Sequence, residues 1–265
     1  MDGGAPPGFY YLNYTVFVDG RKAVDKDGNT IPGGAKVDAL SQLHQFYWLT
    51  DLTVLGGKLG IDLLLPVVAV TAQGTFYNAF PVTANTAGIG DFLFGPALQW
   101  DKGTLLGRPV FQRLESDVTT PTGKYDKTLA ANPSAHLWTV DSYYSFVWFF
   151  ADKWETSLRL WYAFHTENPD TKIMPGQRSH VNYAVSRQVS PALRLGAAGY
   201  VYRQVTDDKL AGVRQADSRE RVFAIGPGVV YQSQGLTAML SHPIEFWAQN
   251  RFVGSRTTLM LIHKF

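Results

Sequence analysis

The C-terminal residues 257–265 alternate between two sets of side chains and end on an aromatic residue. Leu259, Leu261 and Phe265 lie on one side of this pattern, and Met260 and Ile262 lie on the other. A period of two is the repeat of a β-strand, in which successive side chains point to opposite faces. The chain is therefore expected to end in an extended strand whose last residue is Phe265.

This C-terminal strand resembles the last strand of bacterial outer-membrane β-barrels, whose final Phe or Trp is read by the barrel-assembly machinery. The resemblance implies that machinery, acting through Phe265, and outer-membrane lipid and lipopolysaccharide as partners. No stretch supplies the roughly 20 apolar residues of a transmembrane helix, because the best run, residues 63–72, is shorter and contains Pro66. A chain without such helices can span a membrane only as a closed barrel.

The composition agrees with a barrel and excludes several other classes of protein. Charged residues make up 17% of the chain, below the roughly 25% of soluble domains, and hydrophobic residues make up 45%. The chain has 0 Cys, which excludes a disulfide scaffold, a thiolate metal site and a cysteine nucleophile. A net charge of +2 without a basic stripe predicts no nucleic-acid partner.

Alternating apolar and polar residues predict about twelve strands, joined by alternately short and long connections. The predicted strands cover residues 9–19, 38–49, 58–70, 89–100, 105–116, 136–150, 154–165, 179–188, 192–204, 219–231, 236–247 and 255–265. An even number of strands puts both termini on one side, as in single-chain bacterial barrels. The expected fold is all-β: a transmembrane antiparallel up-and-down β-barrel in the bacterial outer membrane, with both termini periplasmic.

Residues 1–265 are expected to form a single barrel domain that acts as a monomer. Residues 1–8 are expected either to be flexible in the periplasm or to insert into the lumen. No signal peptide is recognisable after Met1, so we expect that the export signal has been removed.

The tryptophans test the barrel prediction independently, because aromatic side chains form girdles at both membrane interfaces of such barrels. Every tryptophan except Trp161 falls at a predicted strand end. The periplasmic ends carry Trp48, Trp100, Trp148 and Trp154, and the outer ends carry Trp138 and Trp247. Trp161 lies in the middle of its strand and is predicted to face the lumen.

Several glycine and proline motifs follow one another at the spacing of a known family. They are GGKLG at residues 56–60, LP at 65–66, GIGD at 88–91, GP at 95–96 and PTGKYD at 121–126. Together they resemble the phenol-degradation MetA family of outer-membrane channels, over most of the chain. The sequence departs from the family at residues 138–142, where a Pro is expected near Ser142. The resemblance implies a channel of biodegrading bacteria that admits hydrophobic compounds, and it does not imply catalysis.

Polar and aromatic side chains on the face opposite the predicted lipid-facing residues are the candidate channel lining. They are Asp62, Asp91, Asp141, Arg159, Trp161, His180, Arg194, Tyr200, Tyr202 and Glu245. The charged residues either set an ion preference or pair with one another in a narrow barrel, since buried charges must be paired. The aromatic residues either form a track for aromatic solutes or pack the interior.

Prolines within predicted strands mark places where the barrel wall is expected to be weak, because proline cannot donate to a β-ladder. The candidates for a wall kink or a lateral opening are Pro96, Pro109, Pro227 and Pro243. A tight turn at residues 102–103 would place Pro96 directly opposite Pro109. Each weak patch is either an opening through which a hydrophobic solute leaves the lumen for the bilayer, or a bulged wall that stays closed.

The expected function is passive uptake of small hydrophobic compounds, aromatic ones in particular, with lateral release as a further hypothesis. The alternative is a pore for small polar solutes or ions that uses the lumen charges as a filter. A lipid-modifying enzyme is a remote third hypothesis. It would need Ser and His on the lipid-facing side, whereas the neighbours Ser241 and His242 point to opposite faces. The 6 His show no metal-ligand spacing, so no metal or cofactor is expected.

Overall fold

The computed structural model describes residues 4–265 as an antiparallel β-barrel. The strands of the first half are β1 (Gly8–Val24), β2 (Lys36–Val54), β3 (Gly57–Gln73), β4 (Ala84–Ile89 and Leu93–Trp100), β5 (Arg108–Thr119) and β6 (Thr139–Ala151). The strands of the second half are β7 (Trp154–His165), β8 (Arg178–Ser190), β9 (Leu193–Gln204), β10 (Arg221–Ser233), β11 (Leu236–Ser241 and Ile244–Gln249) and β12 (Arg251–Lys264). Among residues 4–265 there is no helix that could span a bilayer.

The barrel is closed because its last strand pairs with its first. Each strand lies antiparallel to its neighbours in the chain, and the β1–β12 pairing runs from Tyr10 opposite Lys264 to Val24 opposite Arg251. A closed ladder leaves no free sheet edge, which is what a strand-built membrane protein requires. The predicted all-β, up-and-down barrel is confirmed, whereas the periplasmic position of its termini stays a prediction.

The two ends of the barrel differ in the length of their connections. At one end, here called the turn rim, β1 begins and β12 ends beside the tight turns that join β2 to β3, β4 to β5 and β6 to β7. The other end, here called the loop rim, carries the long loops 25–35, 74–83, 120–138, 166–177 and 205–220. Asn250 alone joins β11 to β12 at the loop rim.

The tight turn between β4 and β5 lies further along the chain than the sequence pattern predicts. Leu105 pairs with Arg108, so the turn is formed by Leu106 and Gly107, with φ of 50° and 76°. Positive φ at both central residues is the type I′ geometry that matches the twist of hairpin strands. The predicted turn at residues 102–103 is therefore wrong, and β5 begins at Arg108.

The outer face of the barrel is an apolar band. Its exposed side chains include Phe17, Leu40, Ile61, Leu63, Val67, Leu114, Leu160, Val185, Leu195 and Ile225. Apolar surface of this extent is unusual in water but matches the lipid-facing band of outer-membrane barrels.

Tryptophans frame this band at both rims, as the sequence predicts. At the turn rim, the indole N–H of Trp100 donates to the Leu55 carbonyl (3.1 Å) and that of Trp148 donates to the Leu105 carbonyl (3.0 Å). At the loop rim, Trp247 is 75% exposed. An indole side chain combines an apolar ring with an N–H that donates to polar groups at the rim. This combination suits a membrane–water interface.

Near the turn rim the lumen is filled by a buried cluster of side chains. The cluster consists of Tyr10, Tyr47, Leu49 and Ala97. Ala5 packs against it, and the Ala5 carbonyl accepts a hydrogen bond from the Gln99 amide (2.9 Å). Residues 4–7 therefore lie in the turn-rim end of the lumen. The prediction for residues 1–8 also covers residues 1–3, which lie outside the described part of the chain.

Candidate functional site in the lumen and the barrel wall

A row of aromatic and imidazole side chains crosses the lumen on four consecutive strands, β6 to β9. The register places Tyr143 opposite Trp161, Trp161 opposite His180 and His180 opposite Tyr202. Neighbouring ring centroids in this row are 5.5, 5.4 and 6.3 Å apart, and Tyr200 packs against His180 at 5.8 Å. The structure thus brings the predicted lining residues Trp161, His180, Tyr200 and Tyr202 into one continuous surface, here called the aromatic row.

Guanidinium groups lie against this aromatic row. The Arg159 guanidinium carbon is 4.5 Å from the Tyr143 ring centre and 5.5 Å from that of Trp161. The Arg251 guanidinium, from β12, is 5.4 Å from the Tyr202 ring centre. Cations at these distances are attracted to the electron-rich ring faces. The lumen therefore offers π faces together with positive charge.

Charged side chains between mid-height and the loop rim are largely separated by sign around the lumen. The acidic residues on β3, β5 and β6 are Asp62, Glu115, Asp117 and Asp141. The basic residues on β7, β8 and β12 are Arg159, Arg178, Arg251 and Arg256. Arg113 of β5 and Glu245 of β11 are exceptions, because Arg113 lies on the acidic side and Glu245 on the basic side. Opposite charges on the two sides produce an electric field across the barrel.

Arg194, another predicted lining residue, is held in an ion pair nearer the turn rim. Its Nε lies 3.1 Å from Glu155 Oε1 and donates to Ser186 Oγ at 3.0 Å. The Arg194 side chain is 12% exposed. The sequence allows lumen charges either to set an ion preference or to pair with one another. Arg194 is paired, with Glu155.

Side chains pack the lumen on the β2–β6 side from the turn rim to mid-height. Inward-facing residues that are at most 4% exposed there include Tyr47, Asp62, Gln99, Glu115, Tyr143 and Ser145. A side chain that faces a water-filled bore would remain exposed. The interior at these residues is thus closer to the filled lumen of an eight-stranded barrel than to the aqueous channel of a large porin.

Asp91 holds a loop at the interruption of β4. It lies in the interruption of β4, where Oδ1 accepts hydrogen bonds from Gly123 N (3.0 Å) and Ser134 Oγ (2.6 Å). Its Oδ2 accepts another from Ala135 N (2.8 Å). Hydrogen bonds to a charged group contribute about 1.5–3 kcal/mol each. Asp91 therefore anchors the loop 120–138, and its role as a channel-lining residue stays a prediction.

The first interruption of the wall ladder lies between β4 and β5. Pairing lapses at Gly95 and Pro96, which face Ser116 and Asp117. Pro96 has no N–H to donate. A Cβ at Gly95 would lie 2.2 Å from the Ser116 carbonyl oxygen, so the glycine permits an unusually close approach of β5. The ladder is thus interrupted at Pro96, whereas a kink or an opening of the wall there stays a prediction.

The predicted apposition of Pro96 and Pro109 is wrong. Pro109 pairs with Thr104, next to the tight turn at the turn rim. The register differs from the prediction because the turn is formed by Leu106 and Gly107. Pro109 is therefore not part of a weak patch at mid-height.

The second interruption lies in β11, at His242 and Pro243. Pairing with β12 continues to Ser241 opposite Thr258 and then resumes only where Ile244 lies opposite Ser255. Within the described chain, no ladder joins residues 245–249 of β11 to residues 251–254 of β12. Pro227 of β10 borders the same interruption, since its carbonyl accepts a hydrogen bond from His242 N (3.0 Å). The prolines at 227 and 243 thus mark one weak patch.

The Glu245 carboxylate bridges this second interruption. Its Oε2 accepts a hydrogen bond from Gly254 N (3.0 Å) on β12. Its Oε1 accepts hydrogen bonds from Arg251 Nη2 (3.0 Å) and from the Tyr200 hydroxyl (2.6 Å). The side chain of Glu245 is 7% exposed. Between residues 245–249 of β11 and 251–254 of β12, this buried side chain therefore takes the place of main-chain pairing, while His242 Nδ1 bonds Thr257 Oγ1 (2.8 Å) at the other end of the interruption.

A cavity of about 280 Å³ lies at the same interruption. Its lining combines side chains from both faces of the wall: Arg21, Lys22, His242, Ile244, Glu245, Val253, Gly254 and Ser255. Val253 is buried in the interior, whereas Ile244 is 53% exposed on the outside. The cavity therefore reaches into the wall at the point where Glu245 closes it.

Sequence reasoning missed three charged residues of β5 that face the lumen. They are Arg113, Glu115 and Asp117, which alternate with Leu114 and Ser116. Charges at every second position of a strand share one face. That spacing is the signal that would have identified them from the sequence.

A protein-family model described as "Putative MetA-pathway of phenol degradation" matches residues 20–261 of the chain. A comparison with curated protein sequences finds no match. Among solved structures, an outer membrane channel from Pseudomonas putida F1 is similar, with a TM-score of 0.86 and 17% sequence identity over 100% of this chain and 98% of that chain. The β domain of the Bordetella autotransporter BrkA has a TM-score of 0.52 and 10% identity over 98% of this chain and 100% of that chain. These likenesses show the fold of an outer-membrane β-barrel.

Proposed function

The chain belongs to the phenol-degradation MetA-pathway family, and we propose that it is an outer-membrane channel for passive uptake of small hydrophobic compounds, aromatic ones in particular. The observation that carries this proposal is the interruption between β11 and β12, where Glu245 replaces the ladder and a cavity of about 280 Å³ enters the wall. A wall held here by side-chain contacts of Glu245 and His242 in place of a continuous ladder is suited to open towards the bilayer.

The aromatic row leads to this interruption. Tyr200 packs against His180 at 5.8 Å and donates its hydroxyl hydrogen bond to Glu245. A solute that displaces the contacts of the row therefore acts on the residue that closes the wall. Aromatic rings stack favourably on such surfaces, by about 0.5–1.5 kcal/mol beyond the burial of their area. The proposed route runs from the loop rim along the row and leaves sideways between β11 and β12.

The orientation in this proposal places the loop rim outside the cell and the turn rim in the periplasm. Short periplasmic turns and longer extracellular loops are general in bacterial outer-membrane barrels. Residues 4–7 then lie at the periplasmic end of the lumen, where Ala5 packs against the buried cluster. Such a packed end favours a lateral exit over passage straight through the barrel.

A pore for small polar solutes or ions is the second candidate function. It is favoured by the separation of acidic and basic residues around the lumen, because a transverse field of this kind sorts charged solutes. It is opposed by the burial of Tyr143 and Glu115, which are 4% and 2% exposed. Single-channel conductance separates the two candidates, since the hydrophobic route predicts little current.

We infer that the protein is not an enzyme. His242, which follows Ser241 in the chain, has its Nδ1 2.8 Å from Thr257 Oγ1. Ser241 is its neighbour in the chain and points to the opposite face of β11. A catalytic pair would need the serine hydroxyl within hydrogen-bonding distance of the imidazole.

A disulfide across the interruption tests lateral release. The double variant Ile244→Cys/Ser255→Cys joins the residues that face each other at the edge of the interruption. The matched control, Leu240→Cys/Leu259→Cys, joins the same two strands where their ladder is intact. Because the chain has 0 Cys, the introduced pair has no competing thiols.

The readout is uptake of toluene by cells that carry each variant, under oxidising conditions and after reduction. We expect the first disulfide to abolish most of the uptake and reduction to restore it, while the control transports normally in both states. Normal uptake through the oxidised first variant would contradict lateral release. A large, steady conductance of the wild-type protein in planar bilayers would favour the polar pore instead.

A further inference from the structure

Three buried carboxylates converge on the lumen side of the wall, on β3 and β5. One oxygen each from Asp62, Glu115 and Asp117 lies within 4.8 Å of the other two. The three residues are 2%, 2% and 4% exposed. Such proximity of like charges in a low-dielectric interior is strongly unfavourable unless something neutralises them.

The surrounding side chains satisfy these carboxylates only in part. Among residues 4–265, no hydrogen-bond donor reaches Asp62 Oδ1, Glu115 Oε2 or Asp117 Oδ1. The other oxygen of Asp62 accepts a hydrogen bond from the Gln45 amide (2.6 Å). One buried cluster therefore contains three acceptor oxygens without a hydrogen-bond donor.

The local charge is negative as well. Arg113 Nη1 lies 3.6 Å from Glu115 Oε2, and Arg113 Nη2 donates to Gln99 Oε1 (2.9 Å). One guanidinium thus accompanies three carboxylates. Among these four side chains the excess is two negative charges, which is the charge that one divalent cation compensates.

We propose that Asp62, Glu115 and Asp117 bind a divalent cation of the hard, oxygen-preferring class, to which Ca²⁺ and Mg²⁺ belong. Carboxylate oxygens are the ligands that these cations prefer, whereas softer metals select thiolate or imidazole. Ca²⁺ fits best among them, because its coordination is flexible and Mg²⁺ demands near-ideal octahedral geometry.

The position of the site suggests what the cation does. Asp62 lies on β3 and the other two ligands lie on β5, so the cation spans β4 at the point where Gly95 and Pro96 lose their ladder with β5. Asp117 can approach because residue 95 has no side chain: a Cβ there would lie 2.3 Å from Asp117 Oδ1. The cation therefore braces the first interruption of the wall, as Glu245 braces the second.

Terbium provides a direct probe, since Tb³⁺ occupies calcium sites and emits when a nearby tyrosine or tryptophan is excited. Tyr47 lies opposite Asp62, and Tyr143 lies opposite Glu115, so the site has its own sensitisers. We expect saturable, tyrosine-sensitised Tb³⁺ emission from the purified, lipopolysaccharide-free barrel, with displacement by Ca²⁺. Asp117→Asn and Glu115→Gln should each lose this emission.

Stability gives a second readout that does not depend on terbium. A ligand that binds only the folded state raises the folded-to-unfolded ratio about 100-fold at a hundredfold excess over its Kd. We therefore expect guanidinium unfolding of the wild type to shift on replacing EDTA with millimolar Ca²⁺, and that of Asp117→Asn not to shift. Glu155→Gln is the matched control: it removes a lumen carboxylate paired with Arg194, and it should keep the Ca²⁺ response.

The proposal would be overturned by wild-type protein that shows neither sensitised emission nor a Ca²⁺-dependent shift. That result would mean that shared protons neutralise the three acids. Emission that persists in both Asp117→Asn and Glu115→Gln would mean an adventitious ion elsewhere, and would overturn it too. Each outcome is independent of the transported compound, so the site and the proposed channel function are tested separately.

Discussion

Replacing Glu245 with alanine is expected to loosen the wall between β11 and β12 and to destabilise the barrel. The wild-type carboxylate accepts hydrogen bonds from Gly254 N, Arg251 Nη2 and the Tyr200 hydroxyl. Alanine leaves all three donors without this acceptor. No main-chain ladder takes over between residues 245–249 and 251–254 of the described chain.

The size of the effect follows from the burial of the group. Removing one partner of a buried ion pair costs about 3–5 kcal/mol, because the other charge is left uncompensated. Arg251 also lies 3.8 Å from Glu220 Oε2, so its charge keeps a second carboxylate. We therefore expect Glu245→Ala to lower the free energy of unfolding by about 3 kcal/mol, at the lower end of that range. Glu245→Gln keeps one acceptor oxygen, so its free energy of unfolding should fall by about half as much.

Equilibrium unfolding in guanidinium, followed by tryptophan fluorescence in detergent micelles, measures the loss of stability. Toluene uptake by cells measures the effect on the wall. We expect Glu245→Ala to lose stability and to admit toluene faster than the wild type. Glu155→Gln is the control, since it breaks the ion pair with Arg194 near the turn rim and should lower stability without a change in uptake.

Two results would refute this reasoning. A Glu245→Ala barrel within about 1 kcal/mol of the wild type would mean that the carboxylate does not hold β11 to β12. Equal changes of uptake in Glu245→Ala and Glu155→Gln would mean that uptake follows overall stability and not the interruption.

Three further perturbations test other parts of the structure. Gly95→Ala places a Cβ 2.2 Å from a carbonyl oxygen of β5 and should lower the free energy of unfolding by about 1–3 kcal/mol in guanidinium. Asp91→Ala removes the anchor of the loop 120–138, so hydrogen exchange of that loop should accelerate while the barrel strands stay protected. Burial alone would raise the pKa of Asp207, but hydrogen bonds led by Arg219 outweigh it and hold that pKa below its usual range. The Asp207 contacts should therefore stabilise the loop 205–220 above about pH 4. This stabilisation should be lost as the pH falls through the lower pKa of the folded state, and limited proteolysis would then cleave the loop faster.

Each of these has a matched control or a contrary outcome. Gly228→Ala is the control for Gly95, because a Cβ at Gly228 meets nothing closer than 3.6 Å and should cost little. If hydrogen exchange of the loop 120–138 is unchanged in Asp91→Ala, other contacts anchor the loop. For Asp207, the loop 205–220 of the Asp207→Asn variant should be cleaved equally above and below about pH 4. Cleavage of that variant that depends on pH would contradict the assignment.

The strand pattern, the lipid-facing band and the position of the tryptophans could be predicted from the sequence, since each is a local property. Alternation with a period of two fixes which side chains share a face, so β7 is predicted at residues 154–165 and found at Trp154–His165. Asp62 and Trp161 are placed on the inner face for the same reason. Prolines at 96 and 243 mark real interruptions because proline lacks an N–H wherever it stands.

The neighbours across strands were decided by tertiary structure alone. Register depends on where each turn closes, and a turn at Leu106 and Gly107 instead of residues 102–103 separates Pro109 from Pro96. Sequence spacing likewise does not show that Asp62 of β3 meets Asp117 of β5, nor that Glu245 closes the gap beside Gly254. Periodicity acts within a strand, whereas register and closure arise from the whole barrel, and for that reason only the folded structure shows which groups form the sites.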